Sequence, residues 1–194
     1  YAGQGFGGSC FPKDLPTLIE QIKKEGLDCW VLEGALQRNE AQKYIVSEKV
    51  IKRFADDGNL IGKSFALWGL TFKAGTDDIR ESPSLTAIRK LTGAGAVIRA
   101  YDPAGSDNAR KELDGFIKSR RLEICDSQYE TIDRADALII CTEWDCFRSP
   151  DFDRLKDKLK KPIIFDGRNL YDVNKIEKRG FEYYSIGRRQ VTQR

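Results

Sequence analysis

The chain has 194 residues, enough for one full domain and an appendage; it is 40% hydrophobic and 32% charged, with net charge +3. That balance argues against nucleic acid as a partner, and no apolar run or signal-peptide pattern points to a membrane. Five scattered cysteines with no histidine and no C-x-x-C argue against a zinc site and fit reduced thiols in a cytoplasmic protein.

The first stretch is the richest in chemistry. Four of the six residues from Gly3 to Gly8 are glycine, and Cys10, Lys13 and Asp14 follow. A loop so rich in glycine suits close approach of backbone to a ligand. A cysteine is nucleophilic as thiolate, and a nearby cation or helix N-terminus favours that form. Lys13 and a helix start near Asp14 would supply both to Cys10; the plain alternative is a small buried thiol. Asp14 is read either as the helix N-cap or as a base that positions water. Gly3, Gly5 and Gly8 match G-x-G-x-x-G, but with two residues ahead of them and a helix starting beyond Pro12 they lack the strand–turn–helix setting of a dinucleotide loop.

A first helix is expected over 14–25, with Leu15, Leu18, Ile19 and Ile22 on one face, Pro16 in its first turn and Gly26 ending it. Residues 30–56 read as one long helix, either a spacer or dimer core or an ordinary helix lying on its neighbour. Asp56-Asp57-Gly58-Asn59 is a turn cluster, so the chain divides into a helical segment, 1–58, and a second domain, 59–194.

From Leu60 the rhythm alternates. Strands are expected at 64–70, 96–101, 122–125, 137–142, 162–165 and 181–185, with helices at 83–92, 104–113, 128–134, 151–159 and 172–178, the first of these capped by Ser82 and Pro83. This is an α/β chain whose second domain is a doubly wound parallel sheet, Rossmann-like in architecture. Ligands of such sheets sit beyond the strand carboxyl ends where strand order reverses. Lys73, Arg80 and Arg168 fall on that rim and suit phosphate, unless they are scattered surface cations. Phe72 and Trp144 could flank a base or sugar, with packing the simpler role for Trp144, and Tyr101-Asp102-Pro103 is most simply a turn. The basic runs at 118–121 and 158–161 read as solvated faces.

Five stretches, in order, carry a resemblance: Gly5–Asp14 (GFGGSCFPKD), Gly69–Pro83 (GLTFKAGTDDIRESP), Tyr101-Asp102-Pro103, Thr142-Glu143-Trp144 and Asp166–Tyr171 (DGRNLY). Together they resemble the UDP-glucose/GDP-mannose dehydrogenase family. The resemblance implies a thiol-dependent, four-electron oxidation with NAD, through a thiohemiacetal and a thioester on Cys10. It casts Cys10 as nucleophile and Asp14 as the carboxylate of the water step. Lys13 and Arg80 become cofactor contacts; Tyr1, Gly3, Phe6, Gly7, Phe72, Lys73 and Arg168 become substrate contacts. It also implies a homodimer built on the long helix. With no methionine in the chain, it implies a fragment whose NAD-binding domain lies upstream and which is inactive alone. UDP-glucose is the expected substrate. GDP-mannose stays open because Phe72–Pro83 also resembles that branch. A non-catalytic nucleotide-sugar-binding module is the alternative of another class.

Overall fold

The computed structural model describes residues 3–55 and 59–192. Helix α1 (Phe11–Lys24) starts earlier than expected, because Pro12 near its N-terminus has no N–H to lose there and carries a helical φ already. Lys13 N and Asp14 N both donate to Cys10 O, at 3.0 and 2.8 Å, so Cys10 holds the capping position. The reading of Asp14 as N-cap is therefore corrected: it lies inside the first turn, and Pro16 falls within the helix. The C-terminal end is as expected, with Gly26 N bonded to Lys23 O and Leu27 N to Ile22 O.

The single long helix is also corrected. It is two helices, α2 (Trp30–Lys43) and α3 (Ile45–Phe54), interrupted at Tyr44, whose N–H reaches Ala41 O three residues back rather than four. The interruption falls where the partner changes. On α3, Val46 and Val50 pack into the sheet's core, whereas the buried residues of α2 are polar, Asn39 and Lys43. The turn at 56–58 lies outside the described residues.

The sheet has six parallel strands in the order β3-β2-β1-β4-β5-β6: β1 (Ser64–Trp68), β2 (Val97–Tyr101), β3 (Leu122–Ile124), β4 (Ala137–Ile140), β5 (Ile163–Asp166) and β6 (Glu182–Tyr184). The central strands are buried on both faces, as parallel strands under helices must be. Phe65 and Leu67 face α3 and α4 (Pro83–Gly93), while Ala66 and Trp68 face the opposite layer, with Phe147 and Leu155. Ser82 caps α4 by accepting from Ser84 N. Short helices at 114–118 and 145–148 had no expectation from the sequence; each is a single turn or little more, too short to show a period.

Order reverses between β1 and β4, and there the loops are tied to one buried side chain. Asp102, past the end of β2 and 2% exposed, accepts at Oδ2 from Leu70 N (2.7 Å), Thr71 N (3.0 Å), Thr71 Oγ1 (3.0 Å) and Trp144 Nε1 (3.1 Å). Its Oδ1 accepts from Ala104 N and Gly105 N at 2.9 and 2.7 Å. The turn reading of this stretch holds, and Trp144 is a packing and hydrogen-bonding residue here. Replacing Asp102 with Ala strands buried donors at the ends of β1 and β2. Urea unfolding should register a loss of about 3 kcal/mol or more, and Asp102→Asn, which keeps one acceptor oxygen, should lose less.

Candidate active site

The glycine-rich loop runs along the carboxyl edge of the sheet and separates two clefts. Three of its amides, at positions 4, 6 and 8, are spent on protein. Gln4 N donates to Gly167 O (3.1 Å), Phe6 N to Asn39 Oδ1 (2.7 Å) and Gly8 N to Arg80 O (2.8 Å). A phosphate cradle needs successive free N–H groups, and alternate amides of this loop are bound to protein; its helix begins closer to Gly8 than the sequence suggested. Close approach is the reason for glycine at position 7: a Cβ there would stand 2.3 Å from Glu81 O.

One cleft, about 440 Å³, is lined by Gly3, Phe6, Gly7, Phe72, Lys73 and Arg168 together with Gly5 and Gln42. Every expected substrate contact that the structure describes is brought together here; Tyr1 lies outside the described residues. Arg168 is fixed by donating to Cys141 O from Nε (2.9 Å) and to Phe72 O from its terminal nitrogen. Glu143 Oε2 lies 3.0 Å from the same Nε and pairs with it by charge. Lys73 Nζ sits 5.5 Å over the Phe72 ring. The start of the Arg168 loop is set by buried Asp166, which accepts from Arg168 N, Leu170 N and the Tyr183 hydroxyl at 2.9, 2.7 and 2.6 Å. Burial, partly offset by these bonds, pushes its carboxyl above the usual range.

The other cleft, about 690 Å³, is walled by Ser9, Lys13, Arg80 and Glu81 on one rim and by Leu36 and Asn39 of α2 on another. The expected cofactor contacts Lys13 and Arg80 are therefore gathered here, and the three-cation rim is corrected: Arg80 does not share the cleft of Lys73 and Arg168, because its backbone is bound to the loop's far side at Gly8. Both cations are exposed and each is held by a neighbour, Lys13 by Asp14 and Arg80 by both oxygens of Asp78 at 2.8 and 2.9 Å. The guanidinium holds the Asp78 carboxyl below its usual range, against a smaller effect of burial.

Cys10 is exposed at the head of α1, with Ser9 Oγ 3.7 Å from its sulfur and Lys13 following on the first turn. The other thiols differ. Burial pushes Cys125 and Cys141 up to about 11, and Cys146, though exposed, is also raised by burial of its sulfur. Among the described cysteines Cys10 and Cys146 are exposed, and Cys10 is the one whose helix also carries a lysine in its first turn.

Three contributors were missed from sequence, all on one face of α2. Asn39 Nδ2 donates to Phe6 O (3.2 Å) and completes a reciprocal pair with that residue; Gln42 Nε2 donates to Gly3 O (2.6 Å). Lys43, 5% exposed in its side chain, reaches Glu40 and Glu81 at 2.8 and 2.7 Å. Their i, i+3, i+4 spacing was visible, but polar residues at that spacing also describe a solvated face.

A doubly wound parallel sheet, fronted by a glycine-rich loop with an exposed thiol between two clefts that carry cations, defines a domain of nucleotide-binding architecture. The chain belongs to the UDP-glucose/GDP-mannose dehydrogenase family: the family's UDP binding domain matches residues 66–173 and its central domain residues 1–41. It is 41% identical over 188 residues to UDP-glucose 6-dehydrogenase of Pseudomonas aeruginosa and 42% identical to that of Rhizobium meliloti, covering 97% of this chain and 41% of each relative. It thus spans about two fifths of the length of these relatives. Among solved structures, a UDP-glucose dehydrogenase from Pyrobaculum islandicum superposes with TM-score 0.75 at 28% identity, over 96% of this chain and 38% of that one. A UDP-D-ManNAc dehydrogenase from Pyrococcus horikoshii gives 0.74 at 27%, over 96% and 40%.

Two glycines separate close approach from mere tolerance. Gly7→Ala must push the loop off Glu81, and differential scanning should show a Tm lower by several degrees. Gly34, inside α2, has open space where a methyl group would stand, with no atom within 4 Å. There Ala should stabilise by about 0.5–1 kcal/mol.

Proposed function

We propose that this chain supplies the nucleophilic thiol and the sugar-nucleotide site of an NAD-dependent UDP-glucose 6-dehydrogenase, which oxidises UDP-glucose to UDP-glucuronate. The observation that carries the reading is the sorting of residues into two clefts on either side of the loop that leads to Cys10. The cleft of Lys73 and Arg168 takes the UDP-sugar, with two cations for its diphosphate and Phe72 for an apolar face. Lys13 and Arg80, both exposed, suit the pyrophosphate of a dinucleotide in the other cleft. NAD, when bound, is the hydride acceptor, used twice per sugar.

Taking a primary alcohol to an acid removes four electrons, and the aldehyde formed at the first stage must be retained. Cys10 retains it by adding its thiolate to the carbonyl carbon, giving a thiohemiacetal whose C–H is the second hydride to leave. The product is a thioester on Cys10. Water then attacks the thioester carbonyl, and the C–S bond breaks to return the thiolate and release the acid. Asp14, beside Cys10 on the first turn of α1, is placed to accept a proton from that water. Lys13, which Asp14 holds through an ion pair, and the N-terminus of α1 favour the thiolate as attacking and leaving group.

A homodimer formed through the helical segment belongs to the same reading. It is supported by Leu27, Trp30 and Val31, exposed at 63, 75 and 85% and adjacent at the start of α2. Cytoplasmic residence is supported by the free thiols. GDP-mannose is the second reading for the substrate.

The test uses the intact protein that carries this chain, with NAD and UDP-glucose. About two NADH per UDP-glucose consumed is expected, with little from GDP-mannose. Cys10→Ser should abolish acid formation while UDP-glucose still binds. Arg168→Met should raise KM for UDP-glucose about tenfold or more, with a smaller change for NAD. A fully active Cys10→Ser enzyme would sink the thioester route; nucleotide-sugar binding with no NADH from either sugar would leave a binding module.

A further inference from the structure

We propose that Lys43 is a positioning residue, which through Glu81 sets where Arg80 stands relative to Cys10. Lys43 lines neither cleft, so it has no place in ligand contact. Its side chain is buried while its two carboxylate partners, Glu40 and Glu81, are 58 and 57% exposed and reach down to it. Burial opposes the ammonium, but the hydrogen bonds it donates to Glu40 and Glu81, with the charges of those carboxylates, outweigh it and leave the pKa raised, so the charge persists at neutral pH. A methionine could fill the same volume without desolvating a charge, and such replacements of buried ion pairs are often neutral for stability. What an apolar residue cannot do is fix one oxygen of Glu81 at one point.

That point matters because of what Glu81 adjoins. Its φ of 54° is a conformation that non-glycine residues seldom adopt. Its carbonyl closes on Gly7, where no Cβ fits, and the carbonyl of the preceding residue, Arg80, accepts from Gly8 N at 2.8 Å. The Arg80–Glu81 turn therefore lies directly against the loop that leads to Cys10. The loop's other side is held from the same face of α2, by Asn39 at Phe6 and Gln42 at Gly3. One helix face thus grips both members of the contact, the loop through two amides and the turn through an ion pair. Loosening Lys43 removes the side-chain hold on the Glu81 end of the turn and leaves Arg80 held by Asp78 and by Gly8 N, so the turn can shift against the loop that leads to Cys10.

The inference rests on the proposed function for its kinetic readout but not for its chemical one. In the intact protein, Lys43→Met, Lys43→Arg and wild type are compared by Cys10 alkylation with iodoacetamide against pH. Peptide mass spectrometry separates Cys10 from exposed Cys146. For Lys43→Met the rate of Cys10 alkylation should change by about threefold or more across the pH profile, as a shifted loop and turn require. KM for NAD should rise about tenfold while KM for UDP-glucose changes by less than about threefold, and Lys43→Arg should restore both. A Lys43→Met protein with the wild-type alkylation profile and NAD KM overturns the proposal. So does an equal rise in both KM values with an unmoved profile, which is general loosening. If Lys43→Met does not fold, Glu81→Gln removes the pair from its exposed end. The same change in alkylation rate then supports the proposal, and an unmoved profile overturns it. Absence of turnover in wild type would count against the proposed function, and the alkylation comparison would still decide this one.

Discussion

The carboxylate of Asp102 is the constraint from which the site follows. A buried carboxylate is tolerated only when its lone pairs are filled, and here they are filled by the backbone on which ligands would rest. Leu70 and Thr71 leave β1 by donating to it, Ala104 and Gly105 begin the turn after β2 by donating to it, and Trp144 reaches it from beyond β4. Thr71 then passes the order onward, since Thr142 Oγ1 donates to its carbonyl. Three loops from three strands are thereby indexed to one side chain at the point where strand order reverses. An acidic residue at the end of the second strand is, in other doubly wound sheets, free to meet a ribose. In this chain both of its oxygens are engaged by protein donors, and the cations of the neighbouring cleft, Lys73 and Arg168, stand farther out.

With the floor fixed, the loop from Gly3 to Cys10 acts as a partition. Its amides at 4, 6 and 8 are bound in turn to the β5 loop, to α2 and to the Arg80 turn, three separate parts of the fold. Such alternation holds an irregular segment nearly as firmly as a strand, because each fixed peptide limits the two beside it. It also explains the buried polar side chains of α2: a loop of this kind needs donors and acceptors at set heights, and a helix face offers them at i, i+3 and i+4. The interruption at Tyr44 lets the chain change from this polar task to the apolar packing of α3.

Legibility in the sequence followed the range of the interactions. The strands declare themselves in Ser64–Trp68 and Ala137–Ile140 because apolar runs of that length between turn residues have few other uses, and Ser82 with Pro83 and Gly26 mark helix ends by backbone chemistry of their own. The grouping of Lys73 and Arg168, with Phe72 beside them, followed from the strand carboxyl ends, while adding Gly3 and leaving out Arg80 took the family resemblance. The start of α1 was misplaced because proline-rich text reads as a break, while Pro12 near a helix N-terminus costs nothing. Asn39, Gln42 and Lys43 could not be separated from solvent-facing residues, since the partner that buries them, a loop over thirty residues away in sequence, has no local signature.

The electrostatics of Cys10 illustrate why counting charges falls short. The sequence offers Lys13 to the thiol; the structure offers Lys13 and Arg80, each already joined to a carboxylate, Asp14 and Asp78. Exposed pairs of this kind are worth about 0–1 kcal/mol, so an arriving phosphate can add to or displace the carboxylate at little cost. Before that, the carboxylates keep two flexible cations near the sulfur without leaving them bare. The buried thiols show the opposite case. Cys141 lies within reach of Arg168, yet loss of hydration outweighs that cation and its thiol stays protonated. Solvent access thus separates Cys10 from Cys125 and Cys141 before charge enters, since an arginine beside a buried thiol does not offset the loss of hydration.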